Sequence, residues 1–442
     1  MLPPSSKYAG QRFAILGMGT SGQAAARLAR HLGAEVVLLD DSPADSPAAA
    51  QARAEGFAVR TGAAARADAG PYDLAILSPG IDPSWPLAQG ILGRGVPGLS
   101  EIEFAFQQTA VPVIAVTGTN GKTTTTGLIA HLLAMAGRAA VPCGNYGTAL
   151  SEVVLRNAAL EVLVLEVSSF QLEMIREFRP VISVWMNFAP DHLDRHPSLE
   201  AYRAAKLRIF ENQGPEDTAV VKGDEPLPSL AARRVSFSAW EDGGDWSFRD
   251  GTIYAGERAI LALADTALRG RHNAENIMAA LAAVSAWGLP LEEAAAQVAS
   301  FVPPRHRCEV VGTIGGREFL NDSKATNIHA VESALRGQEG PVVLIAGGKE
   351  KGLDYGPMRE LIREKASAVF TIGEIGPALA QIWPGAVFCG DLEEAVARAY
   401  AAAAPGQAIL FSPGTSSFDM FTGYGHRGDV FCQIVHQLQL QP

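Results

Sequence analysis

Short apolar runs alternate along the whole chain with segments of helical composition. The runs are rich in Val, Ile and Leu, which is typical of strands buried on both faces of a parallel sheet. We expect helices at alanine-rich segments such as 23–32 and 397–404. The repeated strand–helix order predicts an α/β protein with mostly parallel sheets. The expected strands are residues 13–16, 36–40, 74–77, 113–116, 162–165, 181–184, 218–221, 342–346, 368–372 and 408–412.

Interruptions of this pattern divide the chain into three regions. A chain of 442 residues is long enough for about three domains of ordinary size. The Pro303-Pro304 pair cannot continue a helix and marks one boundary. We therefore expect domains at residues 1–108, 109–304 and 305–442.

The central region opens with a glycine-bracketed loop between an expected strand and an expected helix. It reads Thr117-Gly118-Thr119-Asn120-Gly121-Lys122-Thr123-Thr124. Glycines let the backbone approach an anion, and the first amides of the helix point at it. Lys122 would reach the outer phosphates, and the Thr123 hydroxyl would be a ligand of Mg²⁺. The loop therefore predicts a nucleoside triphosphate site, although its spacing is shorter than that of the common phosphate-binding loop.

Polar residues follow the other expected strands of the central region. Glu166 ends one strand and could hold Mg²⁺. Another strand is followed by Asp191, His192, Asp194 and His196, whose spacing fits no closed zinc site. Further along, Asn273 and Asn276 share a helix face, where they could cap the helix or read the edge of a base.

The first region carries a second glycine motif, Gly17-Met18-Gly19-Thr20-Ser21-Gly22, and Asp40 ends the next strand. This is the dinucleotide-binding fingerprint, but it also suits any nucleotide with a diphosphate. In the third region, polar loops at 321–327, 347–351 and 412–418 lie at the ends of strands. Because ligands gather at the carboxyl ends of parallel strands, these loops predict a substrate site facing the triphosphate.

Composition excludes several classes of partner. The 36 Lys and Arg residues against 47 Asp and Glu give a net charge of −11, which argues against a nucleic-acid surface. No apolar run reaches the length of a membrane span. The four cysteines form no C-x-x-C pair, which favours buried thiols in a reducing compartment. We expect a soluble, cytoplasmic protein with no nucleic-acid or membrane partner.

Taken in order, the motifs resemble the Mur ligases, the ATP-dependent ligases of peptidoglycan synthesis, and among them those that add glutamate. The resemblance covers essentially the whole chain. Folylpolyglutamate synthases share the short phosphate loop but not this N-terminal region, and the D-N-P-[RK] motif of the ligases that add a diamino acid is absent. Besides the phosphate loop, the resemblance rests on Ser78-Pro79-Gly80-Ile81, residues 165–173, Asp191-His192-Leu193-Asp194, Arg271-His272-Asn273, residues 321–327 and Ser412-Pro413-Gly414.

The resemblance implies a fold and a reaction. The fold would be an N-terminal Rossmann-like UDP-binding domain, a central ATPase domain with the phosphate loop, and a C-terminal Rossmann-like domain that binds the amino acid. A monomer would join D-glutamate to UDP-N-acetylmuramoyl-L-alanine through an acyl phosphate, using ATP and two Mg²⁺ ions. Two alternatives stay open: a Mur-type ligase for another amino acid, such as L-glutamate, and a nucleotide-sugar- or dinucleotide-binding protein without ligase activity.

The resemblance also implies roles for residues around ATP. Lys122, Glu166, His192, Lys206 and Lys324 would be catalytic, and Lys324 would contact the transferred phosphoryl group. Thr123, Glu166, His192 and Lys206 would hold the metal ions, with Lys206 carrying a carbamate. The nucleotide would be bound by Gly118, Thr119, Asn120, Gly121, Lys122, Thr123, Thr124, Asn273, Asn276, Arg307 and Asp322.

The remaining implied roles concern the two substrates. This chain departs from the family pattern at Tyr424, where Phe is usual, and at Ala189, where Thr is usual. The muramoyl nucleotide would contact Thr20, Ser21, Asp40, Ser78, Gly80 and Asn145. D-glutamate would contact Thr326, Lys351, Ser417 and Tyr424.

Overall fold

The computed structural model describes residues 5–156, 159–193, 195–241, 243–338 and 340–440. These residues form three successive α/β units, each built on its own sheet. Both expected boundaries fall in connections between elements, and the division at 108/109 and 304/305 stays a proposal. Within the described residues, no helix is both long and apolar enough to span a membrane.

The first unit is a parallel sheet with helices on both faces. Its helices are α1 Thr20–His31, α2 Pro47–Ala54, α3 Gly62–Arg66, α4 Pro86–Leu92 and α5 Glu101–Phe106. Its strands are β1 Arg12–Leu16, β2 Glu35–Asp40, β3 Ala58–Thr61, β4 Leu74–Leu77 and β5 Gly98–Ser100. The strand order is β3-β2-β1-β4-β5, so α1 begins at the carboxyl end of the middle strand.

The central unit contains the phosphate loop and the largest sheet. Its helices are α6 Lys122–Met135, α7 Leu150–Arg156, α8 Ser169–Leu172, α9 Leu199–Leu207, α10 Arg271–Trp287 and α11 Leu291–Gln297. Its strands are β6 Val113–Thr117, β7 Ala140–Gly144, β8 Val162–Glu166, β9 Ile182–Trp185, β10 Thr218–Lys222, β11 Arg233–Ser238, β12 Trp246–Arg249, β13 Thr252–Ala255 and β14 Arg258–Ala262. The order is β14-β13-β12-β11-β10-β9-β6-β8-β7, and only the β12–β14 meander is antiparallel.

The third unit repeats the parallel arrangement. Its helices are α12 Ile328–Arg336, α13 Arg359–Lys365, α14 Gly376–Ile382, α15 Leu392–Ala402 and α16 Tyr424–Gln439. Its strands are β15 Glu309–Ile314, β16 Arg317–Asn321, β17 Val342–Gly347, β18 Ala366–Ile372, β19 Ala386–Phe388 and β20 Ala408–Phe411. The order is β15-β16-β20-β17-β18-β19, with β15 antiparallel to its neighbour.

Strand β6 organises the central unit. It is buried along its whole length and lies between β8 and β9, with both pairings parallel. Helices α6 and α10 cover one face of β6, and the core shared with the first unit covers the other, so the residues from Val113 to Val116 are all apolar. The residues that follow β6, β8 and β9 consequently emerge together at one edge of the sheet.

A single apolar core joins the first unit to the central unit. Phe13 and Phe104 of the first unit belong to the same buried cluster as Val113, Leu163 and Phe178 of the central unit. The third unit has separate clusters on the two faces of its own sheet. Burial of apolar surface is the dominant favourable contribution to folding, so the first two units stabilise each other.

Glu103, on α5, reinforces this junction with polar contacts. Its buried carboxylate accepts hydrogen bonds from the backbone N–H groups of Arg176, Glu177 and Phe178, at 2.9, 3.0 and 2.9 Å. These donors belong to a central-unit loop. A charged acceptor strengthens each bond, because the surroundings contain little water.

The expected fold class is confirmed, with two local differences. Helix α6 begins at Lys122 rather than at the expected residue 125, because Gly121 adopts a positive φ of 83° and serves as the N-cap. The strands β3, β5, β7, β11 to β16 and β19 were not among the expected strands. Most of them contain polar or partly exposed residues, β5 has only three residues, and β7 is interrupted by Pro142, so these segments carry little apolar pattern.

Glu103→Gln is expected to destabilise the protein by about 1–3 kcal/mol, because an amide cannot accept all three N–H bonds as well as a carboxylate does. The measurement is the apparent melting temperature by differential scanning fluorimetry. Glu177→Gln, at an exposed neighbouring position, is the control and should leave it unchanged. Equal melting temperatures for the two variants would contradict the role given to Glu103.

Candidate active site

The phosphate loop is held by hydrogen bonds to the loop that follows the neighbouring strand β9. The backbone N–H of Asn120 donates to Asn187 Oδ1 at 2.9 Å, and Asn187 Nδ2 donates back to the Asn120 carbonyl. A Cβ on Gly121 would lie 2.4 Å from Asn276 Oδ1, so only glycine fits there. No side chain caps α6, which leaves its first amides free to bind an anion.

Two lysines converge on one carbonyl of this loop. Lys122 Nζ and Lys206 Nζ each donate to the Gly118 carbonyl oxygen at 2.8 Å. Burial lowers the pKa of both ammonium groups, and the charge of Lys122 lowers that of Lys206 further. Lys206 comes from α9, and its side chain is only 2% exposed. Two cations packed this closely need anions nearby, as a triphosphate would provide.

Glu166 lies at the carboxyl end of β8, beside the phosphate loop. Its Oε1 accepts a hydrogen bond of 2.6 Å from Asn145 Nδ2, while its buried Oε2 has no partner. An unpaired buried carboxylate oxygen is costly unless something binds it. The oxygen donors of Glu166 and Thr123 are the kind that Mg²⁺ prefers, so these residues fit the metal implied by the sequence.

The loop after β9 brings Asp191 and His192 to the same edge. His192 adopts a positive φ of 54°, and its side chain is partly exposed. Burial lowers its pKa, which favours the neutral imidazole that a metal ion requires. His196 instead contacts Ser169 Oγ at 2.9 Å and lies 3.5 Å from Glu173. Asp194 lies outside the described residues.

A cavity of about 340 Å³ extends from the phosphate loop between the central and third units. It has the size of a small-molecule site, and its wall carries seven of the eleven residues that the sequence assigned to the nucleotide, the exceptions being Gly118, Thr119, Lys122 and Thr123. Asn276 Nδ2 donates to Asn273 Oδ1 at 2.9 Å, so these two amides orient each other. The sequence-assigned residues in the wall are Asn120, Gly121, Thr124, Asn273, Asn276, Arg307, Asp322 and Lys324.

The third-unit side of the cavity is strongly electrostatic. Burial raises the pKa of Asp322 to about 7, although a hydrogen bond from Ser412 and the charge of Arg307 oppose this rise. Burial and the charge of Arg307 lower the pKa of Lys324 to about 8. The Lys324 ammonium lies 3.9 Å from the centre of the Tyr424 ring. These shifts are typical of functional sites.

The loops assigned to the amino acid meet beside this cavity. Lys351 Nζ donates to the Thr326 carbonyl at 3.3 Å and lies 3.7 Å from Asp191 Oδ1 of the central unit. Ser417 is buried, whereas the Tyr424 side chain is 41% exposed. The structure thus brings Thr326, Lys351, Asp191 and Lys324 into one cleft, with Ser417 and Tyr424 on the neighbouring loop and helix.

The residues assigned to the uridine nucleotide lie in the first unit, at the carboxyl ends of β1, β2 and β4. Thr20 and Ser21 open α1, whose N-terminus has no side-chain cap. Asp40 accepts from the Met18 N–H at 2.6 Å, and Ser78 Oγ donates to the Gly17 carbonyl at 3.1 Å. Both side chains therefore shape the glycine loop. Gly80 is exposed beside it.

Several contacts that assemble the site were not found from the sequence. Asn327 Nδ2 donates to Asp191 Oδ2 at 2.9 Å, and Asn120 Nδ2 lies 2.8 Å from His329 Nδ1, so the third unit contacts both central loops. Arg195 pairs with Asp82 of the first unit at 2.9 Å. Asn327, the last residue of the 321–327 motif, was a sequence signal for its contact with Asp191. No sequence pattern indicated the Asn120–His329 or Arg195–Asp82 contacts.

Two family models match the chain. The Mur ligase middle domain matches residues 116–284, and the Mur ligase, glutamate ligase domain matches residues 306–414. These spans cover the phosphate loop, the metal-type ligands and most of the third unit.

Comparison of whole chains gives a consistent result. A UDP-N-acetylmuramoylalanine–D-glutamate ligase from Geobacillus sp. (strain WCH70) is 37% identical over 98% of this chain and 99% of its own. The protein of the same name from Syntrophotalea carbinolica is 39% identical, with the same coverages. The fold resembles that of the MurF ligase from Thermotoga maritima, solved in complex with ADP, with a TM-score of 0.61 and 16% identity over 97% of this chain and 96% of that one. The identity with full-length relatives shows that this chain belongs to the Mur ligase family.

Proposed function

We propose that the protein is an ATP-dependent ligase that joins D-glutamate to UDP-N-acetylmuramoyl-L-alanine in peptidoglycan precursor synthesis. The observation that carries this proposal is the convergence of three loops from parallel strands on one cleft. Asn120 and Gly121 of the phosphate loop line it together with Lys324, and Glu166 lies close enough to Lys324 to influence its pKa. The names of the full-length relatives support the choice of substrates.

The first chemical step would be phosphoryl transfer. The carboxylate of the alanine end attacks the γ-phosphorus of ATP, the bond to the β,γ-bridging oxygen breaks, and an acyl phosphate and ADP form. An anion approaching a polyanion is repelled, so the barrier falls when cations surround the phosphates. Lys122 and Lys324 are placed to do this. One such contact typically contributes about 3 kcal/mol, or roughly 10² in rate.

The second step would form the amide. The free amine of D-glutamate attacks the acyl carbon, phosphate leaves, and the amine loses a proton. Lys351 and the 412–418 loop would hold the carboxylates of the amino acid, and Thr326 would also contact it. Because these groups come from the third unit, the Asn327–Asp191 and Lys351–Asp191 contacts would bring the amine toward the acyl phosphate.

Mg²⁺ would be held by Glu166, Thr123, His192 and a carbamate on Lys206. When bound, it would neutralise phosphate charge and orient the reacting oxygens. The unpaired Glu166 oxygen and the pKa of His192, lowered by burial, support this assignment. The chain's own residues would fix the geometry, since Asn145 orients Glu166.

A carbamate would resolve the conflict between the two lysines. Burial lowers the pKa of Lys206, so its amine is neutral more often and can attack CO₂, losing a proton. The product carries a negative charge beside Lys122 instead of a second positive one.

We also propose that the monomer is the active unit, since one chain supplies every contact described above. We propose a cytoplasmic location as well, because the reaction depends on ATP.

Stereochemistry is the sharpest test of the substrate. With UDP-N-acetylmuramoyl-L-alanine and ATP, we expect ADP release to depend on D-glutamate, and L-glutamate to be inactive at the same concentration. A coupled pyruvate kinase and lactate dehydrogenase assay measures this release. Activity with L-glutamate alone would show that the protein is a Mur-type ligase for another amino acid.

Substitution of the two lysines at the phosphate loop distinguishes a ligase from a nucleotide-binding protein without ligase activity. Lys122→Ala removes a cation that balances charge on the transferred phosphoryl group, and Lys206→Ala removes the proposed carbamate ligand of Mg²⁺, so each should lower ADP release by at least about 10²-fold. Lys7→Ala, at an exposed position, is the matched control. Full activity of both site variants, or binding of NADH in place of UDP by the first unit, would favour the alternative.

The carbamate can be observed directly. In ¹³C-bicarbonate buffer, the wild-type protein should give a carbamate carbon resonance, while Lys206→Ala should not. Removal of bicarbonate should lower wild-type activity. Re-addition of bicarbonate should restore the activity, because the free amine of Lys206 then re-forms the carbamate. A wild-type spectrum without this resonance would remove Lys206 from the proposed metal ligands.

A further inference from the structure

Arg427 lies on α16 and has no exposed surface. Within the described part of the chain it forms no ion pair, and Asp419 and Asp322 act on it only over a longer range. Burial lowers its pKa to about 10, so it remains charged at neutral pH. An unpaired buried cation is rare because water solvates a charge far better than protein does. Its position therefore requires an explanation.

The guanidinium binds two of the loops that face the cleft. Its Nε donates to Ser323 Oγ at 3.0 Å, and its Nη2 donates to the Ser323 carbonyl at 2.8 Å. Its Nη1 donates to the Thr415 carbonyl at 3.1 Å. Ser323 Oγ in turn donates to the Tyr424 carbonyl at 2.9 Å. One planar group thus connects the loop after β16, the loop after β20 and the start of α16.

The third loop packs against the same group. A Cβ on Gly348 would lie 3.1 Å from Arg427 Nη1 and 2.4 Å from the Ser416 carbonyl, and Gly348 has a φ of 143°. Glycine therefore lets the loop after β17 reach both. The loop after β17 carries Lys351, the loop after β16 carries Thr326, and the loop after β20 carries Ser417. Three of the four assigned contacts to the amino acid are therefore held by loops that meet at Arg427, and the fourth, Tyr424, opens the helix that carries Arg427.

The amino acid itself has a charge requirement. D-glutamate carries two carboxylates and one amine, so its site needs more positive than negative charge. Lys351 already lies 3.7 Å from Asp191, which offsets part of its charge. A buried guanidinium that donates only to neutral oxygens keeps its charge unpaired behind the cleft, where low dielectric preserves its effect.

We propose that Arg427 is a positioning residue that fixes the three amino-acid-binding loops and supplies the buried positive charge that selects a dicarboxylic amino acid. This proposal rests on the proposed function. Arg427 acts through Ser323 and Thr415 and does not touch the reacting atoms. It should therefore affect the binding of D-glutamate much more than formation of the acyl phosphate, for which Lys324 follows Ser323 on one of the three loops.

The test separates the two half-reactions with hydroxylamine. Its nitrogen attacks the acyl carbon, the bond to phosphate breaks, and a hydroxamate forms as the nitrogen loses a proton to solvent. Hydroxylamine has no carboxylate, so its reaction needs ATP and the muramoyl substrate but not the groups that bind the carboxylates of the amino acid. ADP release is measured with D-glutamate and, separately, with hydroxylamine.

Arg427→Met should raise KM for D-glutamate by at least about tenfold and leave KM for ATP and the muramoyl nucleotide within about twofold, since only amino-acid binding is lost. Hydroxylamine-dependent ADP release should stay within about twofold of wild type. Arg427→Lys keeps the charge but cannot bridge three acceptors, and its KM should be intermediate. Arg398→Met, at an exposed position on α15, is the matched control.

Ser323→Ala provides a milder variant in case Arg427→Met fails to fold. It removes one acceptor of Arg427 and should raise KM for D-glutamate by about threefold with normal hydroxylamine turnover. An unchanged KM for D-glutamate in the folded variants would overturn the proposal. So would an equal loss in the hydroxylamine reaction, which would indicate a general structural role. A wild-type protein inactive with D-glutamate would instead refute the proposed function.

Discussion

The arrangement of the site depends on one electrostatic constraint: two positively charged lysine side chains lie close together at the phosphate loop. Two lysine ammonium groups donate to the same Gly118 carbonyl while buried from water. Such an arrangement is stable only when anions balance it. Glu166 and Asp191, on the loops after the two strands next to β6, supply part of that balance. The parallel pairing of β8, β6 and β9 therefore determines the electrostatics of the site as well as the fold.

Much of the fold could be predicted because apolar strands in a parallel sheet carry a strong local signal. The phosphate loop, Glu166 and the three polar loops of the third unit all follow such strands, and strand ends meet at one edge by geometry. Short edge strands such as β19 carry too few residues for this signal. Their position depends on the neighbouring strand, β18, more than on their own sequence.

The sequence indicated which residues belong to the site better than it indicated how those residues contact one another. Lys324 and Arg307 were expected near a nucleotide, but the lowering of the Lys324 pKa by the charge of Arg307 depends on their distance in the folded protein. No local pattern indicated that Asn187 would bind Asn120, because 67 residues separate them. An arginine on a terminal helix such as Arg427 is usually a surface residue, and only the structure reveals it as buried.

The shared core of the first two units has a mechanical consequence. Rotation of the first unit against the central unit would expose Phe13, Phe104 and Phe178 to water, which is unfavourable in proportion to the apolar area uncovered. The contacts of the third unit at the cleft are polar pairs such as Asn327 with Asp191, and water can replace these at little cost. The molecule is thus built as one stiff two-unit frame and one unit that is easier to move. The distance between the glycine loop of the first unit, where the uridine end of a substrate would bind, and the phosphate loop is then fixed by this frame. That distance would limit the length of the molecule that can bind at both loops.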